Sequence, residues 1–259
     1  MSKTFEVGAY HHKLKEIEVA GIDHATFLDS DEVSLKEFHQ KHPKIKLSLT
    51  SEKKGYGMTL RAHRGMDLAK ESDGLLKKGF EVRIALPADI ELLKSFDLTS
   101  IASLDVKIDL MAFDYIRPEM GCRTNFHTLL FSWEGPSVVQ TLQFLYDHGI
   151  SSDRISLGLA RFGVMFKNVT PGMASTGYAQ PCEGDQLEKP EMSGEEINKY
   201  MEMNTAAKLF YTSLQGCYQS FIYNAENGDW ISFDDDLTLK SKKEWARRQK
   251  LHGIFFYSI

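Results

Sequence analysis

Two kinds of apolar spacing alternate along this chain. Short runs rich in Val, Ile, Leu and Phe predict strands over residues 5–10, 22–28, 45–49, 57–61, 81–86, 107–113, 155–159 and 254–258. Between them, helical spacing predicts helices over 32–41, 66–78, 88–92, 137–148 and 237–249. Strand followed by helix, repeated, predicts parallel strands joined by right-handed crossovers. Eight strand candidates in 259 residues predict an α/β chain folded as a (β/α)8 barrel. In that fold the chemistry sits at the C-terminal ends of the strands.

Two places break the alternation. Residues 50–56 are too few for a crossover helix, which needs roughly a dozen residues. The barrel is therefore irregular around its third and fourth strands, or lacks its third helix. Further on, residues 165–229 are rich in turns (Thr170-Pro171-Gly172, Gln180-Pro181-Cys182-Glu183-Gly184-Asp185) and then strand-like over 217–223. This stretch is expected to be a small α+β insertion after the seventh strand, within a single barrel domain spanning 1–259.

Charge narrows the partners. A net charge of −5 gives no reason to expect nucleic acid. The richest basic stretch, residues 240–250, has helical spacing and reads as a solvated helix face. No apolar run is long enough to span a bilayer. Cys122, Cys182 and Cys217 show no metal spacing, and they allow one disulfide at most. Residues 1–5 lack the apolar run of a signal peptide. That leaves a cytosolic protein, or a secreted one whose leader has been removed.

Residues 106–115 carry the most chemistry. A strand pattern runs through Met111 into Asp114, which Phe113 and Tyr115 flank. Aromatic faces beside a fixed carboxylate suit a sugar, with rings against the pyranose and the acid on a hydroxyl or amide. The plainer reading is a strand meeting its loop, with Asp114 paired to Arg61 or Arg161. Tyr10, Phe27, Tyr115 and Tyr257 fall at strand ends and either line a mouth or fill the core. Trp133 and Trp230 are platforms or insertion packing. His11 and His12 would point to opposite faces of a strand, which argues against a shared metal. Asp234-Asp235-Asp236 before the last helix reads as a helix cap rather than a metal site.

Four segments in series carry a resemblance. Residues 108–115 are similar to an N-x-M-x-Y-D-[YFL] strand, and 124–131 to the loop after it. Residues 137–163 are similar to a helix and a strand ending in Y-G-R; 230–235 and 253–259 resemble a closing W-x-x-Y-D-D and a final strand. Together they resemble the family 18 glycoside hydrolases, the chitinases and chitinase-like lectins, over nearly the whole chain. The resemblance implies a substrate-assisted reaction, in which the sugar's own N-acetyl group attacks the anomeric carbon. The protein supplies a Glu acid, an Asp that orients the acetamide, and a Tyr that holds it. Acid and Asp lie on the fourth strand in D-G-x-D-x-D-x-E.

This chain departs from that signature. Tyr56-Gly57-Met58-Thr59-Leu60-Arg61-Ala62-His63 keeps the glycine but puts Thr59 and Arg61 at the later aspartates and His63 at the glutamate. Phe113 replaces the acetamide-holding Tyr, Val164 stands for an Arg, and Tyr257 stands for the Trp floor of the sugar site. General acid catalysis supplies roughly 10²–10⁴-fold, and a guanidinium cannot replace it. The expectation is a catalytically inactive chitinase-like protein. It would bind an N-acetylglucosamine-containing glycan, another polar ligand or a protein partner through Asp114, Phe113, Met111, Tyr115, Tyr257, Tyr10 and Phe27, with no metal and no cofactor. One alternative is an active hydrolase with a non-standard acid, such as His63. Another is a structural or host-interaction protein that binds no carbohydrate.

Overall fold

A computed structural model of the protein describes residues 5–11, 22–27, 32–50, 56–113, 115, 123–132, 135–170, 176–182, 191–214 and 217–259. All eight expected strands form. They are β1 (Glu6–His11), β2 (His24–Phe27), β3 (Lys46–Leu49), β4 (Gly57–Arg61), β5 (Val82–Pro87), β6 (Val106–Met111), β7 (Ile155–Ala160) and, last in the chain, β13 (Gly253–Tyr257). They close a barrel in the order β1-β13-β7-β6-β5-β4-β3-β2, with every neighbour parallel.

Strict alternation decides which side chains meet inside. In β6, Val106, Ile108 and Leu110 face outward to the helices, and Lys107, Asp109 and Met111 face inward. The same period places Arg83 on β5, Thr59 on β4, Ser48 on β3 and Ser156 on β7 inside the barrel. The interior is therefore polar, where barrels of this kind are usually filled by branched apolar residues. The apolar core lies instead between the strands and the helical ring.

Helix α1 (Glu32–Lys41) follows β2 and covers β2 and β3 through Leu35 and Phe38. No crossover helix separates β3 from β4 among the described residues. The register explains how so short a connection suffices: Gly57 pairs with Ser48, so β4 enters the barrel one step below the end of β3. The chain need not descend the full height of the barrel. Helix α2 (Leu68–Lys77) follows β4, with Asp67 accepting from the Lys70 amide at 3.1 Å as its N-cap. The helix expected over 88–92 is two short ones, α3 (Ile90–Leu93) and α4 (Leu98–Ala102). Asp89 and Asp97 each cap one of them, and this second cap divides the segment. Helix α5 (Val138–Asp147) precedes β7.

The insertion after β7 is an antiparallel sheet. Its strands are β8 (Phe162–Phe166), β9 (Glu191–Ser193), β10 (Lys208–Leu214), β11 (Cys217–Asn224) and β12 (Asp229–Phe233), in the order β10-β11-β12-β8-β9. Helix α6 (Gly194–Met203), started by a Ser193–Glu196 capping box, covers one face through Ile197 against Ile222 and Ile231. The other face joins the main core, where Trp230 stacks on Phe221 at 5.0 Å and is fully buried. Trp230 is thus packing and not a binding platform. Trp133 lies outside the described residues. Cys182 is disulfide-bonded.

Helix α7 (Asp236–Arg248) leads into β13. The expectation of a solvated basic face fails at one residue. Lys242 points into the core and donates to both oxygens of Asp234 at 2.6 Å and to the Thr128 carbonyl at 2.8 Å. The aspartate triplet accordingly divides its roles. Asp234 forms this buried ion pair, and Asp235 caps the helix through the Thr238 amide at 2.9 Å.

Candidate functional site

The base and middle of the barrel are occupied by one ion-paired cluster. Arg83 donates through Nε and a terminal nitrogen to the two oxygens of Asp109, at 2.8 and 2.5 Å. Its other terminal nitrogen reaches Glu6 at 2.9 Å. Tyr10 donates its hydroxyl to Asp109 at 2.5 Å. Burial, then the charge of Asp109, raises the Tyr10 phenol far above its ordinary range, so it stays a donor. Glu6 also bonds His252 at 2.7 Å. His24 lies beside it, contacts Thr26, and is pushed down to about 3 by burial, so it is neutral.

Hydroxyls and rings fill the interior around this cluster. Thr59 is 2.7 Å from Ser48 and 3.5 Å from Thr26. Tyr10 packs on Phe255 at 4.6 Å. At the mouth, Phe113 packs 5.0 Å from Tyr257 and 5.6 Å from Phe162, and Tyr257 is half-buried. Gly158 makes room for this aromatic floor. A Cβ there would lie 2.7 Å from the Phe255 ring and 3.2 Å from that of Phe113.

The expected site residues therefore separate. Phe113 and Tyr257 come together as the floor, with Met111 half-buried on the inner face of β6. Tyr10 lies below them, 1% exposed and bound to Asp109, so it lines no mouth. Phe27 faces the other way, into the layer under α1, with its ring 5.5 Å from Phe38. It follows Thr26, which points inward, so alternation sends it out. Tyr115 is buried against α5, its hydroxyl 3.5 Å from Thr141, and burial raises its phenol above the ordinary range. Asp114 lies outside the described residues.

On the β4 side, Thr59 is buried while Arg61 and His63 are exposed. The His63 Nδ1 lies 3.3 Å from the Arg64 carbonyl. Among the described residues no three His, Cys, Asp or Glu side chains group as metal ligands.

Reasoning from residue types missed the Arg83–Asp109–Tyr10 cluster. The signal was the period-two placement of a charge in Val82-Arg83-Ile84 and Ile108-Asp109-Leu110. It also missed a second buried pair. His127 donates Nε2–H to the Phe162 carbonyl at 3.2 Å and accepts at Nδ1 from the Ser232 hydroxyl at 2.7 Å. Burial, then the charge of Lys242, pushes it down to about 3.

A closed parallel barrel with an antiparallel insertion after its seventh strand defines the class as a (β/α)8 barrel protein. The chain belongs to glycosyl hydrolase family 18, whose sequence pattern matches residues 20–259. The solved structure of a class V chitinase mutant from Nicotiana tobaccum in complex with NAG4 is similar at TM-score 0.80 and 18% identity, over 98% of this chain and 93% of that one. The structure of YKL-39 in the presence of chitooligosaccharides is similar at TM-score 0.77 and 15% identity, over 98% and 92%. A class V chitinase of Arabidopsis thaliana is 24% identical over 63% of this chain and 42% of its own length. A probable endochitinase of Orgyia pseudotsugata multicapsid polyhedrosis virus is 23% identical over 59% and 28%. The chain thus spans less than half the length of these two relatives.

Proposed function

We propose that this protein binds N-acetylglucosamine-containing glycans at the C-terminal mouth of its barrel without hydrolysing them. The observation that carries the reading is the β4 rim. At the positions matching the family's two later aspartates and its acid, this chain has a buried threonine, an exposed arginine and an exposed histidine. The Thr59 hydroxyl is already held by Ser48. Phe113 has no hydroxyl to offer an acetamide. What persists is the half-buried ring of Tyr257, backed by the buried Phe113, suited to the apolar face of a pyranose. The NAG4 complex of the tobacco enzyme, and the chitooligosaccharides in whose presence YKL-39 was solved, suggest the ligand class.

A fluorogenic chitobioside assay beside a calorimetric titration with chitotetraose tests this. The expected result is binding with a change in aromatic fluorescence and no turnover. Turnover that disappears in His63→Ala would replace the reading with a hydrolase using a non-standard acid. Absence of both heat and fluorescence change would point to a protein partner instead.

A further inference from the structure

Arg61 is the residue the family resemblance leaves unexplained. It lies two positions beyond Thr59 on β4, so it leaves the strand on the same inner side, but at the rim, where it is exposed. Its partner across the ladder is Ala85, and the next inward position on β5, Pro87, pairs with Met111. None of these carries a charge. The carboxylate on the same ladder, Asp109, is buried and closed off by Arg83 and Tyr10. Among the described residues Arg61 makes no ion pair and no hydrogen bond, and Arg64 beyond it is also exposed. The rim that would carry the acid therefore carries a guanidinium with no partner among the described residues, with His63 and Arg64 beside it.

The opposite wall is aromatic. In the barrel order β13 stands four strands from β4, so Tyr257 and Arg61 face each other across the mouth. A free guanidinium keeps its full fork of donors for a planar or tetrahedral anion. We infer that the mouth selects an anionic saccharide: one sugar unit lies on Tyr257 while a carboxylate or sulfate ester further along the chain is taken by Arg61. A ligand that spans the mouth in this way is a disaccharide or longer. The inference rests on the glycan-binding reading above and adds charge to it.

Chitotetraose and 6-O-sulfated chitotetraose share one backbone and differ only in charge. Calorimetric titration of both into the whole protein is expected to give about tenfold tighter binding of the sulfated form at low ionic strength. The preference shrinks at about 0.5 M NaCl, where an exposed charge contact is screened. In Arg61→Gln the two ligands are expected to bind within about twofold of each other. Unchanged thermal unfolding of that variant confirms its fold. Equal or tighter binding of the neutral ligand by the native protein overturns the inference while the glycan-binding reading stands. A preference that survives both Arg61→Gln and high salt overturns it as well. If neither ligand binds, the glycan-binding reading fails and the inference falls with it.

Discussion

At the scale of single residues, the barrel interior is held by charges that have no water to fall back on. Arg83 and Asp109 are both buried, so removing Asp109 leaves the Arg83 guanidinium with Glu6 alone, two of its donors unmatched in a low-dielectric site. Asp109→Leu is expected to cost about 3–5 kcal/mol of unfolding free energy. The double variant Arg83→Met with Asp109→Leu is expected to lose less than the single one, because the one charge left behind, Glu6, keeps His252 and Lys107 as partners. Urea unfolding of the three proteins checks this. A double variant less stable than Asp109→Leu would mean the pair stabilises in its own right. Tyr10 adds a second reason for the cost, since its hydroxyl also donates to Asp109 and its ring packs on Phe255.

At the scale of elements, α7 distinguishes a surface contribution from a buried one within a few residues. Asp235→Ala removes a cap and is expected to cost about 1 kcal/mol. Lys242→Met leaves Asp234 buried without its cation and is expected to cost about 3–5 kcal/mol. Chemical denaturation of both variants tests the order. Equal costs would show that Asp234 finds another partner. The elements themselves were mostly legible. The eight barrel strands show in the sequence because each is a short apolar run bounded by turns, and α1 because its apolar residues keep a helical period. The insertion after the seventh strand was legible from its turns, but of its strands only one was, read over 217–223 and formed by Cys217–Asn224. Lys208–Leu214 is polar on one face because it is the edge of the sheet, and Glu191–Ser193 is too short to show a period. Of the candidate site, one juxtaposition was legible. Phe113 and Tyr257 lie together because strand ends meet at a barrel mouth. Phe27 was misplaced because a period-two strand gives its facing only once one neighbour's side is known, here that of Thr26.

At the scale of the whole molecule, the ring closes where β1 meets β13, and a single carboxylate ties that seam together. Glu6 on β1 bonds His252 just before β13, Arg83 on β5 and, at 3.4 Å, Lys107 on β6. Burial by itself would raise the Glu6 carboxyl, but the His252 hydrogen bond and the charges of Arg83 and Lys107 outweigh it and hold it well below the ordinary range. A group whose folded value is depressed stabilises the fold above its unfolded value, and that stability is lost as pH falls. For Glu6 the loss begins below about pH 4.3. The buried neutral histidines act earlier. His24 and His127 are each pushed down to about 3, so unfolded chains take up protons that the folded protein refuses as pH drops below about 6.5. Each contributes about 1.4 kcal/mol of lost stability per pH unit across that window. Between about pH 7 and pH 5 the two together are expected to remove on the order of 4 kcal/mol, before any carboxylate titrates. His127→Gln keeps a side chain that can still reach Ser232, and it is expected to halve the slope. Urea midpoints at the two pH values, for the native protein and this variant, decide the matter. A native protein equally stable at both would show that these histidines are solvated when folded, and that acid weakens the barrel only once Glu6 protonates and the β1–β13 seam loses its carboxylate.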